Sequence, residues 1–206
     1  MKITKKWCNR WQPSLQEGHP WRLSLGVWSC KAILREPDWT RYALKAQITV
    51  YALGWKASHH PLSINSITGV IPDSISSCSR LEVIRLRNNS IEGVIPPALA
   101  HCSSLQEIVL SNNKLNGTIP PGIGLLHDLT FLFLPSNKLE GSIPSSLGRS
   151  PSLSILVLRN NSLSGEMPPL LANCSSLYYL DLMRNNLNGE IPSTLFDNPS
   201  LVTLDL

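Results

Sequence analysis

The chain has 206 residues, with 18 Lys and Arg against 14 Asp and Glu and a formal net charge of +4. That figure averages two unlike parts: residues 1–56 hold ten basic against three acidic side chains, residues 57–206 eight against eleven. The basic charges are scattered rather than gathered into a stripe, which argues against nucleic acid as a partner, and no apolar run reaches the roughly 20 residues of a membrane span.

All six tryptophans, Trp7, Trp11, Trp21, Trp28, Trp39 and Trp55, fall in residues 1–56, which read as an atypical, Trp-rich, basic segment. It begins KITKKWCNRW, without the apolar run of about 7 to 15 residues that a secretory signal needs. Its most apolar stretch, YALKAQITVYALGW, is interrupted by Lys45 and Gln47. An irregular or poorly ordered segment is expected here. Three origins stand open for it: a divergent cap, an unusual exon, or a wrong reading frame joined to the following residues near position 57.

A 24-residue period then sets in. Ile71-Pro72, Ile95-Pro96, Ile119-Pro120, Ile143-Pro144, Met167-Pro168 and Ile191-Pro192 each stand 24 positions after the last. A period between about 20 and 29 residues with leucines at fixed offsets marks a stacked-repeat solenoid. Residues 57–80 form a partial row, keeping Leu62, Asn65, Ile67, Gly69 and Pro72 but placing Ala57 and His60 where leucines belong. Full rows start at Leu81, Leu105, Leu129, Leu153 and Leu177, and the start of a seventh row runs from Leu201 to Leu206.

Each column has a physical reason. In the phrase LxxLxL the last two leucines alternate onto one side of a short strand, and the residues between them project from the other side. Strands of successive rows then stack into a parallel sheet. The asparagine column, Asn65, Asn89, Asn113, Asn137, Asn161 and Asn185, follows the strand. Its amides both donate to and accept from backbone groups that the turn leaves unpaired. Glycine and proline shape the corner that closes each row.

The row LxxLxLxxNxLxGxIPxxL resembles the plant-type leucine-rich repeat of receptor-like kinases and receptor-like proteins over residues 57–206. The resemblance implies an α/β leucine-rich-repeat solenoid, curved and right-handed. A parallel sheet would line its concave face and short 3₁₀ or helical turns its convex face. It also implies that the inner face binds a peptide or protein ligand, or a co-receptor built of the same repeats, and that no cofactor takes part. Against the family's usual cap, SLGVWSC holds Gly26, Val27, Trp28 and Cys30 with the tryptophan on the other side of Gly-Val, and Cys8 at an unusual distance.

The expected ligand-binding surface is the set of residues leaving the strands outward: Arg85, Arg87, Glu107, Val109, Phe131, Phe133, Val157, Arg159, Tyr179, Asp181 and Met183. Phe131 and Phe133 form an apolar patch bordered by Val109 and Val157. Residues i and i+2 of a strand project together, so Arg85 and Arg87 are placed to clamp one carboxylate. The clamp is similar to an Arg-x-Arg pair of peptide-hormone receptors in this family.

Catalysis finds little support. Asp181 and Asp205 share a column on adjacent rows, but no nucleophile and base stand at a useful spacing. Cys78, Cys102 and Cys174 share another column and read as small core residues. A Cys78–Cys102 disulfide is the alternative, and no pair has zinc-ligand spacing. Asn88, Asn116, Asn160 and Asn173 each open an Asn-x-Ser/Thr acceptor, whereas Pro199 blocks the one at Asn198. Four such sites suit an extracellular domain, displayed on the plasma membrane or secreted. The expected parent is a receptor kinase of which this is a truncated ligand-binding part. A secreted binding protein similar to the polygalacturonase inhibitors, and a truncated product without independent function, are the alternatives.

Overall fold

The computed structural model describes residues 23–24, 67–77 and 81–206. The remainder of residues 1–56, most of the partial row with Asn65, and Cys8, Cys30 and Cys78 lie outside the described residues. A two-residue strand, β1 (Leu23–Ser24), pairs in parallel with β2 (Ile67–Val70).

The LxL phrases form the concave sheet. Its strands are β3 (Val83–Arg85), β5 (Glu107–Val109), β7 (Phe131–Phe133), β9 (Ile155–Val157), β11 (Tyr179–Asp181) and β13 (Thr203–Asp205), all parallel and in chain order across the sheet. The register joins Val83 to Glu107 and Phe131 to Ile155, residues one repeat apart, so like positions face like positions. Leu132 and Leu156 at the strand centres are 0% exposed and pack into one continuous core with Ile84, Ile108 and Leu180. Each rung thus buries its leucines against the rungs beside it, the mutual dependence expected of a solenoid.

A second parallel sheet, absent from the expectation of a single one, runs along the next side of each rung. It holds β1, β2, β4 (Ser90–Val94), β6 (Lys114–Gly117), β8 (Lys138–Gly141), β10 (Ser162–Glu166) and β12 (Asn186–Asn188). Here Glu92 pairs with Lys114 and Thr68 with Ser90, a step of 22 residues rather than 24, so these strands slant by two residues per rung. The glycine column lies in or just beyond these strands. Gly93 holds φ at 77°, and a Cβ there would stand 2.9 Å from a Val70 methyl.

Between the two sheets the chain turns through one residue in the left-handed region: Asn88, Asn112, Ser136, Asn160 and Arg184, with φ of 54° to 58°. The asparagine that follows ties the rungs together. Asn113 Nδ2 donates to Leu110 and Ser111 carbonyls of its own rung and to the Leu86 carbonyl of the rung before, while its Oδ1 accepts the Ile91 N–H at 3.0 Å. Asn137, Asn161 and Asn185 repeat this set, and Asn89 donates to the Leu86 and Arg87 carbonyls.

The Ile-Pro pairs lead into 3₁₀ turns on the convex side: Asp73–Ser77, Pro97–His101, Pro121–Leu125, Ser145–Arg149, Pro169–Asn173 and Ser193–Asp197. Proline at the start fits because its missing N–H would have no partner there. The turns pack closely enough that a Cβ on Gly148 would lie 2.1 Å from the Leu170 carbonyl oxygen. Cys102 and Cys174 are buried free thiols on this side, and their Sγ–H groups donate to the Ile75 and Leu147 carbonyls of preceding rungs.

Candidate functional site

The concave sheet alternates. Ile84, Ile108, Leu132, Leu156 and Leu180 point into the core, so the neighbours of each on its strand are presented on the other side. The pairing places Phe133 between Val109 and Val157, and Phe131 between Glu107 and Ile155. Phe131, Phe133, Val109, Ile155 and Tyr179 are partly exposed and together form an apolar strip across four rungs.

Ion pairs flank this strip. At one end Arg85 Nε donates to Glu107 Oε2 at 2.8 Å, and its Nη2 engages the same oxygen. The expected Arg85 and Arg87 clamp is not set up here: Arg85 is held on a carboxylate of the neighbouring rung, although its side chain, like that of Arg87, stands exposed. At the other end Arg159 Nε lies 3.7 Å from Asp181 Oδ2, whose partner Oδ1 accepts the Met183 N–H at 3.2 Å. Tyr179 donates its hydroxyl proton to Asp205 Oδ2 at 3.2 Å. Loss of hydration, the bond to Asp205 and the negative charges of Asp181 and Asp205 push the Tyr179 hydroxyl above the usual phenol range, with Arg159 opposing them.

Two residues expected on the open surface are covered. Val157 and Asp181 are each 1% exposed, so they form the floor of the face rather than its contact layer. Asp181 is reached by Arg159 of the preceding rung and accepts the Met183 N–H, and Val157 lies in the ladder between Phe133 and Asp181. Arg85, Arg87, Arg159 and Met183 stand exposed, and Glu107, Val109, Phe131, Phe133 and Tyr179 partly so. Both ion pairs join residues 22 apart, the diagonal between a strand and the next rung. Reading opposite charges along that diagonal finds them; reading down the columns does not.

The four acceptor asparagines, Asn88, Asn116, Asn160 and Asn173, are exposed. Asn88 Oδ1 accepts a bond from Asn112 Nδ2 at 2.7 Å, and Asn160 Nδ2 donates to Ser136 Oγ at 3.1 Å. Asn88 and Asn160 stand at the turn where concave strands end, Asn116 is in β6, and Asn173 closes a convex turn. Among the described residues no group of three His, Cys, Asp or Glu is placed to hold a metal, and no helix is long and apolar enough to cross a membrane.

Two family models match the chain: Leucine rich repeat over residues 61–115 and 79–139, and Leucine Rich Repeat over 152–174 and 176–198. No curated protein sequence matches it. Among solved structures, the ectodomain of the Arabidopsis thaliana membrane receptor kinase GASSHO1/SCHENGEN3, in complex with CASPARIAN STRIP INTEGRITY FACTOR 2, is 39% identical with a TM-score of 0.65. It covers 66% of this chain and 16% of its own. The Arabidopsis receptor kinase HAESA, in complex with the peptide hormone IDA and the co-receptor SERK1, is 30% identical with a TM-score of 0.62, covering 69% and 28%. A plant ice-binding protein is 33% identical with a TM-score of 0.60, covering 64% and 43%. This chain therefore spans less than half the length of each.

Proposed function

The chain belongs to the leucine-rich repeat family, and from that premise we propose that it is a ligand-binding part of an extracellular plant receptor, whose concave face docks a peptide or a partner domain. The family is not a catalytic one, and receptor kinase ectodomains are prominent among the structures it resembles. The observation that carries the proposal is the apolar strip of Val109, Phe131, Phe133, Ile155 and Tyr179, open on a sheet whose other side is sealed in the core. Aromatic side chains set in a polar rim are the composition that anchors protein and peptide ligands. The ion pairs Arg85–Glu107 and Arg159–Asp181 bound the strip and keep it from spreading over the face.

A cell-surface setting follows from the same reading. Glycans on Asn88 and Asn160 would stand along one border of the sheet and narrow the binding face from that side. A co-receptor of the same repeat type, as HAESA has in SERK1, is a second class of partner for this surface.

The test uses the full chain fused to a secretion leader and produced in plant cells, immobilised and exposed to peptides from extracellular fluid. Peptides retained by the native chain and released by Phe131→Ser with Phe133→Ser support the proposal. Retention that these substitutions leave unchanged contradicts it.

A further inference from the structure

The charges of the described residues are segregated. Of their seven Lys and Arg side chains, four stand on the concave sheet or the rim where its strands end: Arg85, Arg87, Arg159 and Arg184. Eight of the eleven Asp and Glu side chains lie elsewhere. The three acids on the concave side are already engaged, Glu107 by Arg85, Asp181 by Arg159, and Asp205 by the Tyr179 hydroxyl. Among the described residues Arg87 and Arg184 form no ion pair, and both are exposed. Arg159 meets Asp181 with one edge at 3.7 Å, and its side chain is 56% exposed. A guanidinium carries five N–H donors in a planar fork, so most of the donor capacity of Arg159 faces solvent.

The arginines are spaced along the stack. Arg159 and Arg184 stand on neighbouring rungs, and Arg87 occupies the Arg159 column three rungs earlier. At about 4.8 Å between strands that separation is roughly 14 Å, which an extended peptide covers in about four residues. We propose that the concave face selects an extended peptide bearing carboxylates, with one acidic side chain over Arg159 and Arg184, another about four residues away over Arg87, and apolar side chains turned along the strands toward Phe133, beyond which Phe131 and Ile155 continue the strip. The inference rests on the concave-face reading above and adds to it the sign and spacing of the ligand's charges. Arg85 is set aside because Glu107 balances its charge and holds both its Nε and Nη2, a closer pairing than that of Arg159 with Asp181. Charge of this kind sets selectivity and the rate of capture, while the apolar strip supplies the anchoring.

The probe is a displayed library of random dodecapeptides, selected on the full chain, on its Arg87→Gln, Arg184→Gln variant and on its Phe131→Ser variant. Enriched peptides are expected to carry an excess of Asp and Glu over Lys and Arg, with acids recurring about four positions apart. Binding of an enriched peptide is expected to weaken about three- to fivefold for each arginine removed. On the unmodified chain it should weaken as salt rises from about 0.05 M to about 0.5 M, a measurement that stands whether or not a variant folds. Enrichment of neutral or basic peptides that Phe131→Ser still releases overturns the acidic preference and leaves concave docking intact. No enrichment at all, or enrichment indifferent to Phe131→Ser, overturns both. Acidic peptides displaced by polygalacturonate and indifferent to Phe131→Ser would mark a general polyanion surface, and that also overturns the proposal.

Discussion

Asn137 binds two rungs through one amide. Its Nδ2 donates to the Leu134 and Leu110 carbonyls and its Oδ1 accepts the Leu115 N–H at 3.1 Å. Asn137→Ala takes the acceptor from the Leu115 N–H, while the Leu110 and Leu134 carbonyls keep the amides of Asn113 and Asn161, and it should cost about 1–3 kcal/mol, read from denaturant unfolding. Asn137→Asp is a useful contrast, since it keeps the acceptor for Leu115 and loses the donors. The cysteines behave differently. Burial pushes the Cys102 and Cys174 thiols up to about 11 from an ordinary value of 9.0. The protonated thiol is the form the fold favours, so its contribution to stability is complete below about pH 9 and is lost as pH rises from 9 through 11. Unfolding measured across that window should show a steeper fall for the native chain than for a Cys102→Ala, Cys174→Ala variant. At neutral pH a thiol reagent should modify peptides holding these two cysteines only after denaturant is added.

Among the elements, the 3₁₀ turns set how closely rungs approach on the convex side. Gly124 and Gly148 lie where a Cβ would stand 2.3 Å and 2.1 Å from backbone of the next rung, so the turn Ser145–Arg149 sits between two close contacts. Gly148→Ala forces the turn Pro169–Asn173 outward and should destabilise by about 1–3 kcal/mol, measured by thermal or denaturant unfolding. The strands carry a graded burial. Leu132 and Leu156 in the middle rungs are 0% exposed, whereas Leu204 in β13 is only partly buried and its neighbour Val202 is 82% exposed. Leu132→Ala should therefore cost about 2–5 kcal/mol and Leu204→Ala markedly less, because the cavity penalty depends on atoms packed on both sides.

At the scale of the whole molecule, the solenoid is legible because stacking demands likeness. Leu132, Asn137 and Ile143 recur in every rung for reasons that act on each rung alike, and a period of 24 exposes them. The second sheet is not legible in that way. Strands such as Lys114–Gly117 and Lys138–Gly141 bury a single leucine each, and their pairing step of 22 residues departs from the repeat. Backbone pairing there leaves no alternation of side chains to read. The concave face was half legible. Its columns name Phe131 and Phe133, but the burial of Asp181 depends on Arg159 one rung away, and the Arg85–Glu107 pair on a diagonal contact. Function on such a scaffold lies in the residues that differ between rungs.

The most direct measurement is hydrogen exchange of the full chain with and without a peptide retained on it, resolved by fragment. Slowed exchange confined to fragments spanning β5, β7 and β9, with β6, β8 and the convex turns unchanged, is the result that docking on the concave strip predicts. Slowed exchange over the second sheet or the convex turns, with β7 unaffected, would contradict it and move the ligand to another side of the solenoid.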